Sequence, residues 1–533
     1  MSPEKYYLKP NVVIEPMVDR WYAWSHLISP ATAAMNIVGR HLSIMESYVM
    51  APEIHAEAVL NPQMKGGPFM DLAGNRAEEV AALKDSTLAK RHNMVRFAQA
   101  VKELDDLLRN EAKGFALEQL YKKVPDILKG YVELFYDRNN NPDFRFFEAL
   151  LYESEFYDKS AQSIALWVTD NDHRPFCLST PRLEEKDVLL LDLPLADPAI
   201  DELARMKKTP QTIEYIADLL KIPAAKMDLF HSFFTTEALP EYSRYQGDKI
   251  RMRYFGHACI LIETKDISIL VDPLISYYGY QSDVAHYSDI DLPDTIDYVL
   301  ITHNHQDHIL FETLLPLRHR IKNIIVPRTS GGKLEDPSLK LMFNSIGFNN
   351  VTEIGEMENI RFADATITGL PFTGEHSDLN IATKACFKVQ IDGFKLLFMA
   401  DSRVVEPALY EHVSKITGPI DVLFLGMECD GAPLSWLYGP LLTKKIQREQ
   451  DGSRRLSGSD CAKGMSLVEI FKPKELYVYA MGQEPWLEFI SSIKYTDESN
   501  PIIQSQKLID LCKEKDIISE RLYGEKELFY EKN

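Results

Sequence analysis

Asp297-Tyr298-Val299-Leu300-Ile301-Thr302-His303-Asn304-His305-Gln306-Asp307-His308 is the stretch on which the reading of this chain turns. Its first part, Asp297 to Ile301, is apolar, β-branched and aromatic and follows the turn signal Pro293-Asp294, so it predicts a buried strand. Side chains alternate faces along extended chain, so His303 and His305 should point the same way as the backbone leaves the sheet. Asp307 and His308 follow at once, where a helix over Ile309 to Leu317 is expected. Three imidazoles and a carboxylate within six residues are enough to begin two adjacent metal sites. A polar surface turn has no need of three of the chain's fourteen histidines directly behind a buried strand.

With 533 residues the chain exceeds one usual domain. Its charge balance of 59 − 79 = −20 argues against nucleic acid or an anionic membrane as the main partner. Six scattered cysteines without a CxxC fit neither a disulfide framework nor a thiolate zinc site, and suit a reducing cytosol. The N-terminus lacks the basic-then-apolar layout of a signal peptide, and nowhere do about 18 apolar residues run together. A cytoplasmic protein with no membrane segment is expected.

Residues 1–245 read as a mixed, helix-rich domain. Helical spacing appears near 76–112, 114–136, 143–165 and 199–222, and Asp187 to Pro194 reads as a short buried strand. Thr209 to Phe234 predicts two helices joined at Ile222-Pro223, with no basic face for DNA. His26, His41, His55, His92, His173 and His231 show no ligand spacing and read as structural.

A boundary at Pro240 to Ser243 opens a second domain, 246–533, built from short apolar strands. Arg251 to Thr264 and Asp266 to Pro273 read as a hairpin turning at Lys265-Asp266, and Lys384 to Ile391 with Phe394 to Ala400 as another about Asp392-Gly393. Strands over Ala365 to Phe372, Asp421 to Gly426 and Glu475 to Met481 run into Gly374-Glu375-His376, Glu428-Cys429-Asp430 and Gly482-Gln483-Glu484, and the second strand of the latter hairpin ends on Asp401. Polar residues thus gather where rigid strands emerge, a usual way to build a site. Lys444 to Asp460, charged and Gly/Ser-rich, reads as a mobile loop near it.

The HxHxDH string on one strand end, with an Asp on another about a hundred residues later, resembles the metallo-β-lactamase superfamily over roughly Lys249 to Tyr479. That likeness implies an α+β fold: a C-terminal αββα sandwich behind the mixed N-terminal domain. By analogy His303 and His305 hold one metal, Asp307 and His308 the other, and Asp401 bridges them. The hydrolases of that superfamily complete their sites with two further histidines, yet here none follows His412. The middle position falls on Glu375 or His376, neighbours that face opposite ways on an extended chain. With Glu375 the set becomes three carboxylates and three imidazoles, a balance suited to iron; with His376 a zinc centre regains ground.

Phe372 to Leu379 (FTGEHSDL), Ala480 to Trp486 (AMGQEPW) and the overall length are similar to the CmlA-type β-hydroxylases known from chloramphenicol biosynthesis. The resemblance implies a diiron cluster on His303, His305, Asp307, His308, Glu375 and Asp401. It also implies O₂ as co-substrate, two electrons from an external donor and hydroxylation at the β-carbon of an amino acid. That amino acid is held as a phosphopantetheine thioester on a nonribosomal peptide synthetase carrier domain. It further implies a homodimer and a docking role for the first domain. The competing expectation is a binuclear zinc hydrolase of lactonase or phosphodiesterase type. Glu428, grouped with Glu375 and Asp401 as a catalytic candidate, and Asp430 are candidates for proton handling. Trp436, Tyr438 and Trp486 are candidate pocket walls, and His257 is a candidate for orienting a ligand. Lys444, Lys445, Arg448, Arg454 and Arg455 offer a basic patch to an acidic carrier.

Overall fold

The computed structural model describes residues 4–171, 174–362 and 365–532, so His173 lies outside the described residues. The expected strand before the histidines forms as Tyr298–Leu300. It runs parallel to Ser268–Val271 on one side and Ile324–Pro327 on the other. These belong to a seven-stranded sheet ordered Val351–Ile354, Ile324–Pro327, Tyr298–Leu300, Ser268–Val271, Ile260–Glu263, Ile250–Tyr254, Lys526–Tyr530. A second seven-stranded sheet runs Asn359–Phe362, Ala365–Leu370, Cys386–Ile391, Phe394–Phe398, Val422–Gly426, Glu475–Tyr479, Ile518–Arg521.

Alternation along these strands explains the layers. Ile260, Ile262, Ile269, Val271 and Leu300 share a core with Phe387, Val389, Leu396 and Phe398 of the facing sheet. Their neighbours Leu261, Leu270 and Val299 point the other way, into a different core. On the second sheet Leu397, Leu423 and Leu425 turn outward onto helices Pro407–Thr417, Cys461–Phe471 and Asn500–Lys513. Strands apolar on both faces need cover on both faces, and the result is the expected helix–sheet–sheet–helix sandwich.

The first 245 residues supply their own antiparallel sheet, ordered Trp21–Tyr22, Val12–Val18, Gln162–Val168, Leu189–Leu191. Helix His92–Glu111 buries Phe97, Val101, Leu104 and Leu108, one turn apart along one face. This region does not stand apart. Ile14 and Val18 lie in one continuous core with Phe311, Leu314 and Leu315 of helix Phe311–Leu317, the helix that follows the histidine motif. Polar contacts stitch the same seam. Arg174 meets Glu312 at 2.8 Å, and Arg318 donates to the Leu195 carbonyl at 2.6 Å, the Asp197 carbonyl at 2.8 Å and Asp201 at 2.9 Å. The backbone beneath the motif is therefore held from both halves.

Several expectations need correction. The helix after the motif begins at Phe311, two residues late, because the backbone first turns at His305 to Ile309. The stretch 114–136 holds two short 3₁₀ segments, Leu117–Lys123 and Asp126–Leu128, and then strand Val132–Tyr136; Pro125 interrupts any longer helix. Residues 143–165 hold the paired strand Pro142–Phe146, helix Glu148–Tyr152 and the start of strand Gln162–Val168. Cross-strand pairs such as Leu134 with Phe144 satisfy apolar residues whose spacing imitates a helix. Arg251 to Thr264 is two strands, reversing at Phe255–Cys259, where Gly256 takes φ +106° and a side chain would strike Trp486. Lys444 to Asp460 is structured, with helix Arg448–Ser453 and strand Arg455–Leu456 paired to Ala432–Pro433.

Candidate metal centre

The site forms where the two sheets present their strand ends on one edge. Beyond Leu300 the chain delivers Thr302 and His303, and the latter bridges to Lys384 beside the second sheet. His303, His305 and His308 are all buried, and their nitrogens converge. His303 Nε2 lies 3.1 Å from His305 Nδ1, and His308 Nε2 lies 3.1 Å from Asp401 Oδ2. Asp401 Oδ2 also stands 3.8 Å from His303 Nε2, so this carboxylate lies between two imidazoles. Glu375 Oε1 reaches His305 Nδ1 at 2.8 Å. Among the described residues three sets of donor atoms each fall within 4.8 Å of one another: His303, His305, Glu375; His303, His308, Asp401; and His257, Asp307, His308.

Neighbours fix which nitrogen of each ring faces inward. His308 Nδ1 donates to Asp272 Oδ2 at 2.8 Å, which turns Nε2 toward Asp401. Thr302 gives its hydroxyl hydrogen to the same Asp272 oxygen at 2.6 Å, so its own oxygen can accept from His303 Nδ1 at 3.0 Å. His303 Nε2 is then bare. The Tyr438 hydroxyl stands 3.0 Å from His305 Nε2, on the side away from Glu375. His257 is different: its Nδ1 accepts the Gly482 N–H at 3.1 Å, so a neutral ring carries its hydrogen on Nε2, which lies 3.3 Å from Asp307. That geometry sets His257 beside Asp307 in the donor set they share with His308.

Burial is outweighed at His308, where Asp401, Asp272 and Asp307 raise the imidazole well above its ordinary value, and at His305, where Glu375 raises it. Burial alone would raise Asp307, but His308 and His257 outweigh it and hold its carboxyl below the usual range. Burial opposed by His305 and His376 leaves Glu375 likewise depressed. Burial and the neighbouring imidazoles push His303 well below its ordinary value, so that ring is a neutral donor at pH 7. Asp401 Oδ1 is buried without a hydrogen-bond donor, and Glu375 Oε2 lies 2.9 Å from His376 Nδ1. Imidazole nitrogens that converge on the unmatched Asp401 oxygen suit a cation, and the mixed hard-oxygen and imidazole set fits iron.

The Glu375 segment is a left-handed turn, not the extended chain expected. Gly374 (φ +79°), Glu375 (+61°), Ser377 (+55°) and Asp378 (+57°) share it. A Cβ on Gly374 would run into the Arg403 side chain. Such strained backbone gathers at functional sites. Here the turn brings Glu375 into a donor set, while the His376 ring stacks on His305 at 4.6 Å and joins none of the three sets.

A cavity of about 430 Å³ opens onto the centre. His305, Asp307, Glu375, Asp401 and Glu428 face it, with Trp436, Leu437 and Ile490 as apolar wall and Lys65 and Gly66 contributed by the first half. Ala480, Met481 and Gly482, just past strand Glu475–Tyr479, also line it. Other candidates separate. Trp486 is buried under the Gly256 turn, away from the cavity lining. Asp430 is exposed and accepts from Asn500. Arg454 donates to the Ser377 carbonyl and Arg455 lines the cavity; Lys444, Lys445 and Arg448 do not. Sequence reasoning passed over Asp272 and Thr302. Asp272 ends the buried run Ile267 to Val271, the same strand-end signal that marked Asp401.

Comparison with known proteins adds the following. Residues 7–238 match the family model described as the diiron non-heme β-hydroxylase N-terminal domain, and residues 268–432 match a β-lactamase superfamily domain. The chain is 37% identical to the 4-amino-L-phenylalanyl-(CmlP peptidyl-carrier-protein) 3-hydroxylase of Streptomyces venezuelae, covering 97% of this chain and 98% of that protein. The crystal structure of CmlA, a diiron β-hydroxylase from Streptomyces venezuelae, superposes with a TM-score of 0.92 at 36% identity, covering 99% of this chain and 100% of that one. A metal-dependent hydrolase of Flavobacterium johnsoniae is 30% identical over only 25% of this chain and 61% of its own length.

Proposed function

The chain belongs to the CmlA-type family of diiron non-haem β-hydroxylases, and on that footing we propose that it hydroxylates the β-carbon of a carrier-bound amino acid. The amino acid is a thioester on the phosphopantetheine arm of a nonribosomal peptide synthetase carrier domain. The observation that carries this reading is the set of inward-facing donors: His303, His305 and Glu375 on one side, His308 and Asp307 on the other, and Asp401 between. We assign these six residues to the two irons. When bound, the iron pair supplies the oxidising chemistry, using O₂ and two electrons from an external donor to place one oxygen atom on a C–H bond.

The protein's own part is positional. Asp272 keeps the His308 hydrogen on Nδ1, Thr302 does the same for His303, and Tyr438 backs His305. His257 holds Asp307 in place from beneath. Trp436, fixed by its indole N–H on the Gly66 carbonyl at 2.8 Å, joins Leu437 and Ile490 to wall the substrate from water.

Residues 1–245 form the docking domain and 246–533 the catalytic domain in this reading. The small antiparallel sheet lies wholly in the first and both large sheets in the second, which supports the division. A homodimer belongs to the same reading, and Met50, Ile54, Leu60 and Phe115 are exposed apolar residues of the first domain. Six unpaired cysteines are consistent with the cytoplasm, and among the described residues no helix is long and apolar enough to cross a membrane.

The test is incubation of iron-loaded enzyme with aminoacyl-loaded carrier, reductant and O₂. A gain of one oxygen atom on the amino acid, with Mössbauer spectra of a coupled iron pair, is the expected result. Activity that requires zinc and ignores O₂ would overturn the assignment.

A further inference from the structure

Once the three carboxylates assigned to iron are set aside, one acidic side chain on the cavity wall is left over. Glu428 stands just past strand Val422–Gly426 and faces the same space as Asp307, Glu375 and Asp401. Its carboxylate accepts the Gly431 N–H and, at 3.2 Å, the Tyr495 hydroxyl, both neutral donors. The charged groups that bear on it are Asp430 and Asp401, both negative, and burial with their repulsion pushes its carboxyl up to about 7. The cations of the cavity wall are committed elsewhere: Lys65 pairs with Glu488, and Arg455 donates to the carbonyls of Asp430 and Gly431. Among the described residues Glu428 makes no ion pair with a lysine, arginine or histidine. A carboxylate shielded from water without a counter-ion is costly, and the cost is relieved when the occupant of the cavity brings the cation.

We propose that Glu428 binds the α-ammonium group of the carrier-bound aminoacyl substrate and thereby positions it. This rests on the carrier-bound reading above. In an aminoacyl thioester the carboxyl is consumed by the linkage, so the α-amine is the one charge common to every such substrate. Its nitrogen and the β-carbon are both bonded to Cα and lie roughly 2.5 Å apart. Anchoring the nitrogen at Glu428 therefore holds the β-carbon close by, in the cavity that Asp307 and Asp401 also face. The side chain is left to Trp436, Leu437 and Ile490, an apolar wall suited to an aromatic or large aliphatic group. Glu428 would thus select amino acids over plain acyl groups and fix which carbon is presented.

The experiment measures binding to the resting iron-loaded enzyme without turnover. Two probes are used, a carrier domain loaded through a stable amide with L-phenylalanyl or with 3-phenylpropanoyl, which lacks only the amine. Glu428→Gln should weaken the aminoacyl carrier about 30-fold, the loss for removing one partner of a desolvated charge pair. It should leave the phenylpropanoyl carrier within about twofold, and Glu428→Asp should recover part of the loss. Iron content should stay at the wild-type level in both variants. Equal effects on the two carriers, no effect on either, or loss of iron would overturn the assignment while leaving the hydroxylase reading intact. Failure of wild-type enzyme to bind either carrier would overturn the hydroxylase reading and this inference with it.

Discussion

Two buried carboxylates of the first 245 residues meet their opposites. Asp19 pairs with Arg91 at 2.8 Å, and Glu15 accepts from both Arg182 and the Trp167 indole. Around the histidine motif like faces like: His303 and His305 nitrogens at 3.1 Å, and Asp401 between two imidazoles with one oxygen unmatched. Both regions are equally shielded from water, so burial does not distinguish them. What distinguishes them is whether each buried lone pair finds a hydrogen within the chain. The first arrangement is complete as folded, and the second is completed from outside.

That contrast is broken most completely at Asp401. Asp401→Ala removes the carboxylate shared by both sides, and activity should fall more than about a hundredfold with loss of iron by elemental analysis. Asp272→Asn tests the outer layer. An amide in place of the carboxylate weakens the hold on the His308 hydrogen, and iron affinity or turnover should drop about 10–100-fold while the fold persists by circular dichroism. Glu15→Ala is the reciprocal case, leaving Arg182 and the Trp167 N–H unpaired. Stability should fall by about 3 kcal/mol in denaturant unfolding, with iron content unchanged.

The smallest effect separates a third kind of buried group. Glu148 accepts the Ser338 N–H across the seam, and burial raises its carboxyl to about 7. Its folded value lies above the unfolded one, near 4.3. Its contribution is therefore full below pH 4 and is lost as pH rises through 7. Glu148→Gln should raise the melting temperature by about a degree at pH 8, with a gain that shrinks as pH falls from 7 to 5.

The sandwich was legible because its strands are short, apolar and punctuated, and because alternation ties His303 to His305. The six residues assigned to iron were named through the family resemblance, since strand-end position alone left Glu375 and His376 open. Asp272 escaped notice although it has the same placement, since a single Asp after a strand is also a common turn residue. The tautomers and the role of His257 depend on contacts between residues up to 225 positions apart, and no local pattern encodes them. The first half was read as more helical than it is. Leu117, Leu120 and Val124 keep helical spacing, yet Pro125 and the pairing of Val132–Tyr136 with Pro142–Phe146 draw the chain into turns and a hairpin. The left-handed turn at Glu375 was not foreseeable from residue types, since glutamate rarely adopts it.

The seam between the halves bears on how hybrid assembly lines are made. Ile14 and Val18 share a core with Phe311, and Lys65 and Gly66 form part of the cavity wall. A chimera that joins the first half of one relative to the second half of another therefore exchanges one side of an interior surface. Cutting at a linker near residue 240 would look harmless in an alignment and still mismatch Arg318 with Leu195 and Asp197. Recombination should respect contact partners rather than chain position, with both sides of the seam inherited from one parent.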